Sequence, residues 1–341
     1  MLPEVPGIVS AGQAAATADA IAAAQLPSGL IPWSEGQCAD PWNHIEAAMA
    51  LDVCGRKAAA ERAYQWLVDS QRPDGSWAAA YRGGKIADAA ADSNFCAYVA
   101  AGSWHHFLVT GDAGFLEEMW AVVEKAIEFT LALQLPSGAI QWARDARGRP
   151  WPGALLTSSS CIHLSLRCAL AVAEELGRER PRWDSAMGAL AAAIARCPHA
   201  FEPKAEYAMD WYYPILGGAI TGAAAEERLL AGWSRFVVDG LGVRCVDHRP
   251  WVTVAETCEL VLTLDALGRP VEARRLFSWV QHLRHAEGGY WTGVTFPEGE
   301  CWPAEQPTWT SGAVLLAADA LAGASRASIL FCSEEALEAA G

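Results

Sequence analysis

Four times along the chain an amphipathic stretch halts in a similar turn: Gln25-Leu-Pro-Ser-Gly29, Gln71-Arg-Pro-Asp-Gly75, Gln134-Leu-Pro-Ser-Gly138 and Arg284-His-Ala-Glu-Gly288. Proline and glycine punctuate a helix, so each is a stop signal. A tryptophan follows each glycine within a few residues: Trp33, Trp77, Trp142 and Trp291. A helical unit that recurs in this way buries its apolar face only by stacking on its neighbours, which makes a closed or stacked helical array the architecture to expect.

With these turns as rulers, apolar periodicity and capping signals predict helices at about 10–25, 40–54, 57–71, 92–110, 113–134, 156–177, 182–197, 210–222, 224–238, 252–268, 270–284 and 307–323. Long connections alternate with short turns such as Cys54-Gly-Arg, Thr110-Gly-Asp and Gly268-Arg-Pro. Twelve helices in six hairpins give an all-α (α/α)6 toroid. A few short strands, near Trp77–Tyr81, Ala139–Ala143 and Tyr290–Thr295, are expected at one mouth. The catalytic domain is placed at residues 1–324, with 325–341 as a C-terminal tail and a short helix expected at Glu334–Ala340.

The composition, 52% hydrophobic and 19% charged with long alanine runs, suits such a helical body. A net charge of −15 argues against nucleic acid and against an anionic membrane as partners, and favours a neutral substrate. The ten cysteines show no metal-ligand spacing, and several fall in apolar helical runs, the habit of a reducing compartment. The N-terminal Met-Leu-Pro-Glu-Val-Pro-Gly has no signal-peptide pattern, and no eighteen uninterrupted apolar residues occur. A cytoplasmic location is expected; oligomeric state is not legible.

In a toroid the second, fourth, sixth, eighth, tenth and twelfth helices line the inside and start at one mouth. Their starts read Asp40-Pro-Trp-Asn-His-Ile-Glu46, Asp92-Ser-Asn-Phe95, Leu156-Thr-Ser-Ser-Ser-Cys-Ile-His163, Asp210-Trp-Tyr-Tyr-Pro214, Trp251-Val-Thr-Val-Ala-Glu256-Thr-Cys-Glu259 and Pro307-Thr-Trp-Thr-Ser311. Ten of the sixteen tryptophans (33, 42, 77, 142, 151, 211, 251, 291, 302 and 309) lie at these starts or in adjoining loops, a bias that core filling does not produce.

Indole faces beside carboxylates and amides are how proteins hold sugars, and helix N-termini add oriented N–H donors. Glycoside cleavage then takes two carboxyl groups, one protonated to serve the leaving oxygen and one ionised to activate water or attack carbon. The candidates are Glu35, Asp40, Glu46, Asp92, Asp210, Glu256 and Glu259. Asp40 and Glu256 are favoured, on the expectation that the second and tenth helices face one another across the mouth.

Structural alternatives stand beside several of these roles. Asp40 caps its own helix ahead of Pro41. Thr253-Val-Ala-Glu256 reads as a capping box, and Asp210 and Asp92 read as caps too. His44 and His163 either bond substrate hydroxyls or are satisfied within the packing. The substrate-binding set is Trp33, Trp42, His44, Glu46, Trp77, Asp92, Asn94, Asp210, Trp211, Tyr212, Tyr213, Trp251, Trp291 and Trp309. No metal site and no cofactor is expected. No G-x-S-x-G elbow, P-loop, G-x-G-x-x-G or H-E-x-x-H occurs, which leaves the corresponding chemistries without local support.

Gln71-x-x-x-Gly75-x-Trp77 resembles the Gln-Trp repeat of squalene cyclases and prenyltransferases. Their Asp-x-Asp-Asp, Asp-Asp-x-x-Asp and zinc-binding Asp-x-Cys patterns are missing, so this prenyltransferase-like feature reports shared architecture. From about Pro6 to Ala322 the chain resembles a group of actinobacterial intracellular proteins that includes the methylmannose polysaccharide hydrolases. The stretches that carry this are Asp40-Pro-Trp-Asn-His-Ile-Glu-Ala-Ala-Met-Ala-Leu51, Asp92-Ser-Asn-Phe-Cys-Ala-Tyr-Val99, Met209-Asp-Trp-Tyr-Tyr-Pro-Ile-Leu-Gly-Gly218 and Arg249-Pro-Trp-Val-Thr-Val-Ala-Glu-Thr-Cys-Glu-Leu260. The resemblance implies an (α/α)6 endo-α-1,4-mannosidase with Asp40 and Glu256 as its catalytic carboxyls, cleaving an α-linked mannose-type oligo- or polysaccharide. An inverting reaction is expected, with Asp40 as acid and Glu256 as base. The competing expectations are a non-catalytic carbohydrate-binding protein and a terpenoid or prenyl-substrate enzyme on the same architecture.

Overall fold

The computed structural model describes residues 2–332, so the helix expected at Glu334–Ala340 lies outside the described residues. The α-helices are α1 (Ala11–Ala24), α2 (Pro41–Val53), α3 (Lys57–Ser70), α4 (Ser93–Ala97), α5 (Val99–Thr110), α6 (Ala113–Leu131), α7 (Leu156–Glu175), α8 (Pro181–Arg196), α9 (Ala208–Leu216), α10 (Gly222–Phe236), α11 (Val254–Ala266), α12 (Pro270–Trp279) and α13 (Thr308–Ala322). The inner ring closes as α2, α5, α7, α9, α11 and α13, each packed on the next and α13 back on α2. Helices α3, α6, α8, α10 and α12 lie outside their inner partners, and α1 covers α13. This is the (α/α)6 toroid.

The two rings differ because they bury different surfaces. Inner helices are buried nearly all round: Ala47 to Val53 in α2, Val254 to Leu264 in α11 and Thr310 to Asp319 in α13 form unbroken buried runs. Small residues such as Ala47, Ala48, Ala317 and Ala318 let these helices approach closely. Outer helices bury one stripe, for example Ala225, Leu229, Gly232 and Phe236 of α10, as a two-sided amphipathic helix should. Helix α7 is long and apolar enough by length and composition to cross a membrane, and two thirds of that window is buried in the ring.

The recurring turn is a clasp between neighbouring outer helices. The side-chain amide of Gln25 donates to Gly29 O and to Ala59 O of α3, both at 2.9 Å. Gln71 repeats the pattern on Gly75 O (3.1 Å) and Val122 O (2.9 Å), and Gln134 on Gly138 O (3.0 Å) and Ala186 O (2.9 Å). The clasp glycine has positive φ, and a Cβ on it would strike a backbone carbonyl of the next outer helix, Lys125 in the case of Gly75. In the fourth copy Arg284 reaches Gln13 O (3.4 Å), while the Thr17 hydroxyl donates to Gly288 O (2.8 Å), so α1 is fastened to the last hairpin.

Several boundaries differ from the expected ones. The helix expected at 92–110 is two, α4 and α5, separated by Tyr98, whose dihedrals stay helical and whose N–H still bonds Asn94 O (3.0 Å). Helix α9 starts at Ala208 and stops at Leu216: Gly217, still helical in its dihedrals, passes too near the Ser160 carbonyl to carry a side chain, and Gly218 turns the chain out of the helix with positive φ. The rim carries nine short strands: β1 (Cys38–Ala39), β2 (Ala80–Arg82), β3 (Lys85–Asp88), β4 (Ala91–Asp92), β5 (Ala143–Arg144), β6 (Val237–Val238), β7 (Gly242–Arg244), β8 (Trp251–Thr253) and β9 (Gly293–Thr295). They form antiparallel sheets ordered β1-β2-β3, β4-β5 and β6-β7-β8-β9, each leading into an inner helix start. Arg326–Ile329 forms a short 3-10 turn after α13, and Phe331 beyond it reaches the axial cavity of the ring.

Candidate active site

At the start of α2, Asp40 has extended dihedrals and Pro41 takes the first helical position. Its Oδ1 accepts from the Asn43 amide (3.0 Å), and its Oδ2 accepts from Asn43 Nδ2 and Trp33 Nε1, both at 2.6 Å. Asp40 is therefore a cap and more than a cap. Burial pushes its pKa up, against the pull of these N–H donors. Farther along the same helix Glu46 accepts from the Tyr98 hydroxyl (3.4 Å), and burial together with the charges of Glu259 and Asp40 drives its pKa well up.

On α11, Glu259 is cradled by two hydroxyls, Tyr212 and Tyr213, the second at 2.6 Å. Burial and then the neighbouring Glu256 raise its pKa. Glu256 itself, in the first turn of α11, accepts from the Thr253 hydroxyl and lies against the Cys245 thiol. Asp92 caps α4 through the amides of Asn94 (2.8 Å) and Phe95 (3.1 Å), and burial plus the Asp40 charge push it up to about 7. Five carboxyls thus follow one another in the order Asp92, Asp40, Glu46, Glu259, Glu256, and no cation is among the groups that shift the first four. Burial that raises a carboxyl such as Asp40 favours the protonated form, and a retained proton is what a general acid needs.

Aromatic rings wall this line. Trp42 packs at about 6 Å against Phe95 (6.0 Å), Tyr98 (6.1 Å) and Tyr213 (6.0 Å). Trp33, 38% exposed, covers Asp40. Trp251, on the strand before Glu256, donates to Trp302 O (2.6 Å); partly buried Trp291 and Trp309 lie on the α13 side. Beneath, Glu46, Tyr98, Cys161, Tyr213, Glu259 and Phe331 line a small axial cavity of about 20 Å³.

Other expected site residues are elsewhere. His44 is fully buried, its Nδ1 accepting from Ile31 N–H and its Nε2 bonded to Ala63 O, both at 3.0 Å; burial lowers its pKa to about 4. Trp77 is also fully buried, donating to Leu67 O (3.0 Å). Trp211 turns outward between α9 and α10, stacks on Phe236 at 5.4 Å and donates to Arg228 O. Asn94 is buried inside α4. His163 bonds Gly217 O (2.8 Å) within the packing.

Asp210 does not cap its own helix. It accepts from Thr157 N (3.2 Å) and Thr157 Oγ1 (2.6 Å), capping α7 from outside that helix. The capping box at Thr253 is not formed, since the Thr253 hydroxyl donates to Glu256 directly and no side chain caps α11. Glu35 is exposed in the turn beyond Trp33. Helices α2 and α11 are not opposed either: each touches α13, so they are next-but-one, and the helix opposite α2 is α9. Asn43, Thr253 and Cys245 complete the site; Asn43, three residues past Asp40, and Thr253, in its Thr-x-x-Glu spacing, carried a readable signal, and Cys245 carried none.

No family model matches the chain. It is 53% identical over 320 residues to the MMP endo-(1,4)-3-O-methyl-alpha-D-mannosidase of Mycolicibacterium hassiacum, covering 94% of this chain and 89% of that protein. The chain belongs to that mannosidase family. It is a glycoside hydrolase. Solved structures share this chain's fold at low identity. A wild-type glycosidase superposes with a TM-score of 0.72 at 14% identity, covering 92% of this chain and 96% of that one. A D-mannose isomerase gives 0.70 at 11%, covering 92% and 98%, and an alpha-amylase from Clostridium perfringens 0.68 at 8%, covering 90% and 97%.

Proposed function

We propose that the protein hydrolyses an α-1,4-linked mannose polymer carrying 3-O-methyl groups, the substrate named for its mannosidase relative, with Asp40 as general acid and Glu256 as general base. Asp40 gives its proton to the glycosidic oxygen as the bond to the anomeric carbon breaks. Glu256 takes a proton from the water whose oxygen attacks that carbon from the opposite face, and the configuration inverts. The observation that carries this reading is the uncompensated carboxyl line at a mouth walled by indoles.

The choice within the line follows from what the other acids do. Glu46 and Glu259 lie deeper, on the axial cavity and under tyrosine hydroxyls; Asp92 and Asp210 are committed to helix caps. Next-but-one helices in a six-membered ring stand roughly 15 Å apart between axes, from a neighbour spacing of about 9 Å. Carboxyl side chains reaching inward from both bring that gap toward the roughly 6.5–9.5 Å of an inverting pair. Residues 1–324 are assigned to the catalytic unit, and the reducing-compartment pattern of free cysteines supports a cytoplasmic site of action.

Asp40→Asn and Glu256→Gln preserve shape, and Asn still caps a helix. Each variant is expected to lose turnover of a methylated α-mannan by several powers of ten while melting like the wild type. Wild-type rates in both would remove the assignment. Proton NMR of the first-formed reducing end reads the stereochemistry, with the β anomer expected.

A further inference from the structure

Two tryptophan pairs stand at the rim of the site, and one ring of them, Trp251, belongs to its aromatic wall. Trp142 and Trp151 pack at 5.1 Å in the connection into α7, and Trp251 and Trp302 at 4.8 Å in the connections into α11 and α13. In each pair one ring is half-buried and the other turned to solvent: Trp151 is 46% exposed and Trp302 55%. A single exposed indole is ordinary; these two are held in place. The Trp142 carbonyl accepts from Ser93 N (2.9 Å) and Ser93 Oγ (3.1 Å), next to Asp92. Trp151 N donates to Ala143 O (2.9 Å) and its carbonyl accepts from Gln141 Nε2 (3.0 Å). Trp302 N donates to Gly293 O (3.0 Å), and its carbonyl takes the Trp251 indole N–H.

Their places in the ring matter as much as their exposure. The first pair sits between the α4/α5 and α7 positions and the second between α11 and α13, which are opposite sectors of the six-membered ring. The two pairs therefore stand at opposite sides of the ring mouth.

We propose that Trp142/Trp151 and Trp251/Trp302 are distal stacking platforms that hold sugar units of one polymer chain on either side of the cleavage point. This rests on the polysaccharide reading given under Proposed function. A pyranose offers a C–H face to an indole, and a 3-O-methyl group replaces a hydroxyl with more apolar surface, which favours a ring over a polar partner. A fixed indole spends little conformational freedom on binding. Two platforms at opposite edges describe a trough open at both ends, the shape that internal cleavage requires.

The test uses Trp151→Ala, Trp302→Ala and the double variant, with kcat/KM measured on a long 3-O-methylated α-1,4-mannan and on a tetrasaccharide of the same linkage. The polymer-to-tetrasaccharide ratio is expected to fall about tenfold in each single variant, the scale of one lost stacking contact, and further in the double. An unchanged ratio overturns the proposal. Retardation in a gel containing the uncut polymer, in an Asp40→Asn background, separates the two readings. If the wild type cleaves neither substrate the proposed reaction fails, and the platforms stand on retardation: weaker retardation in the double variant sustains them, equal retardation overturns them.

Discussion

Asp40 carries two duties in one side chain. Its Oδ1 closes the start of α2, while its Oδ2 is held by two N–H donors under an indole. The Trp33 N–H favours the carboxylate, so Trp33→Phe should raise the Asp40 pKa and move the alkaline limb of the kcat/KM profile to higher pH; an unmoved limb would separate Asp40 from the acid role. Asp92 gives a prediction about stability. Its ordinary pKa is 3.8 and its folded value about 7, so between these limits the folded chain holds a proton that the unfolded chain lacks. The resulting stability is present below the unfolded value and is lost as pH rises through about 7. His44 acts oppositely, losing stability as pH falls from 6.5 toward about 4, so the window to examine is pH 6.5–8. There the melting temperature should decline with pH, in part through Glu259, pushed up to about 8, and Asp92→Asn, which can still cap α4, should lessen the decline. Residue identities at helix starts were readable in advance; the direction each side chain takes from the axis was not. Distance from a helix start fixes the mouth, yet Trp42 faces the carboxyls while Trp211, also at an inner helix start, turns outward onto Phe236.

Among elements, the Gln-x-Pro-x-Gly turn explains why this sequence signals its architecture so clearly. The glutamine ties the turn to the next outer helix, and the glycine lets that helix's backbone come close, so both are needed for the same seam. Gln71→Ala removes two hydrogen bonds and is expected to cost about 2 kcal/mol in chemical denaturation, at roughly 1 kcal/mol per bond, with activity retained at low temperature. Gly75→Ala should cost more, because it adds a left-handed backbone penalty to a collision with the Lys125 carbonyl. Helix count and hairpin pairing were legible because the punctuation is strong. The division at Tyr98 and the strands β6 and β7 were not: Tyr98 keeps helical dihedrals, and a two- or three-residue strand has too few positions to show a period.

For the whole molecule, the sequential order of the inner helices decides which acids can meet. Six positions place α2 and α11 on either side of α13, not across the ring, so the proposed catalytic groups flank one helix start. That helix also steadies the first acid: Thr308 N donates to Trp33 O (2.6 Å) and its hydroxyl to Pro32 O (2.7 Å). The seam between α1 and the last hairpin joins residues 271 apart in sequence, through the Thr17 hydroxyl and Gly288 O. A chain emerging from the ribosome therefore lacks the seam between its first helix and the last hairpin until Gly288 has been made, and the backbone of Trp33 and Pro32 lacks its α13 brace until Thr308 has been made. All five carboxyls of the site precede Thr308 in the chain, so a nascent chain broken off before that helix would own every one of them and still lack the brace that holds the Trp33 segment over the first.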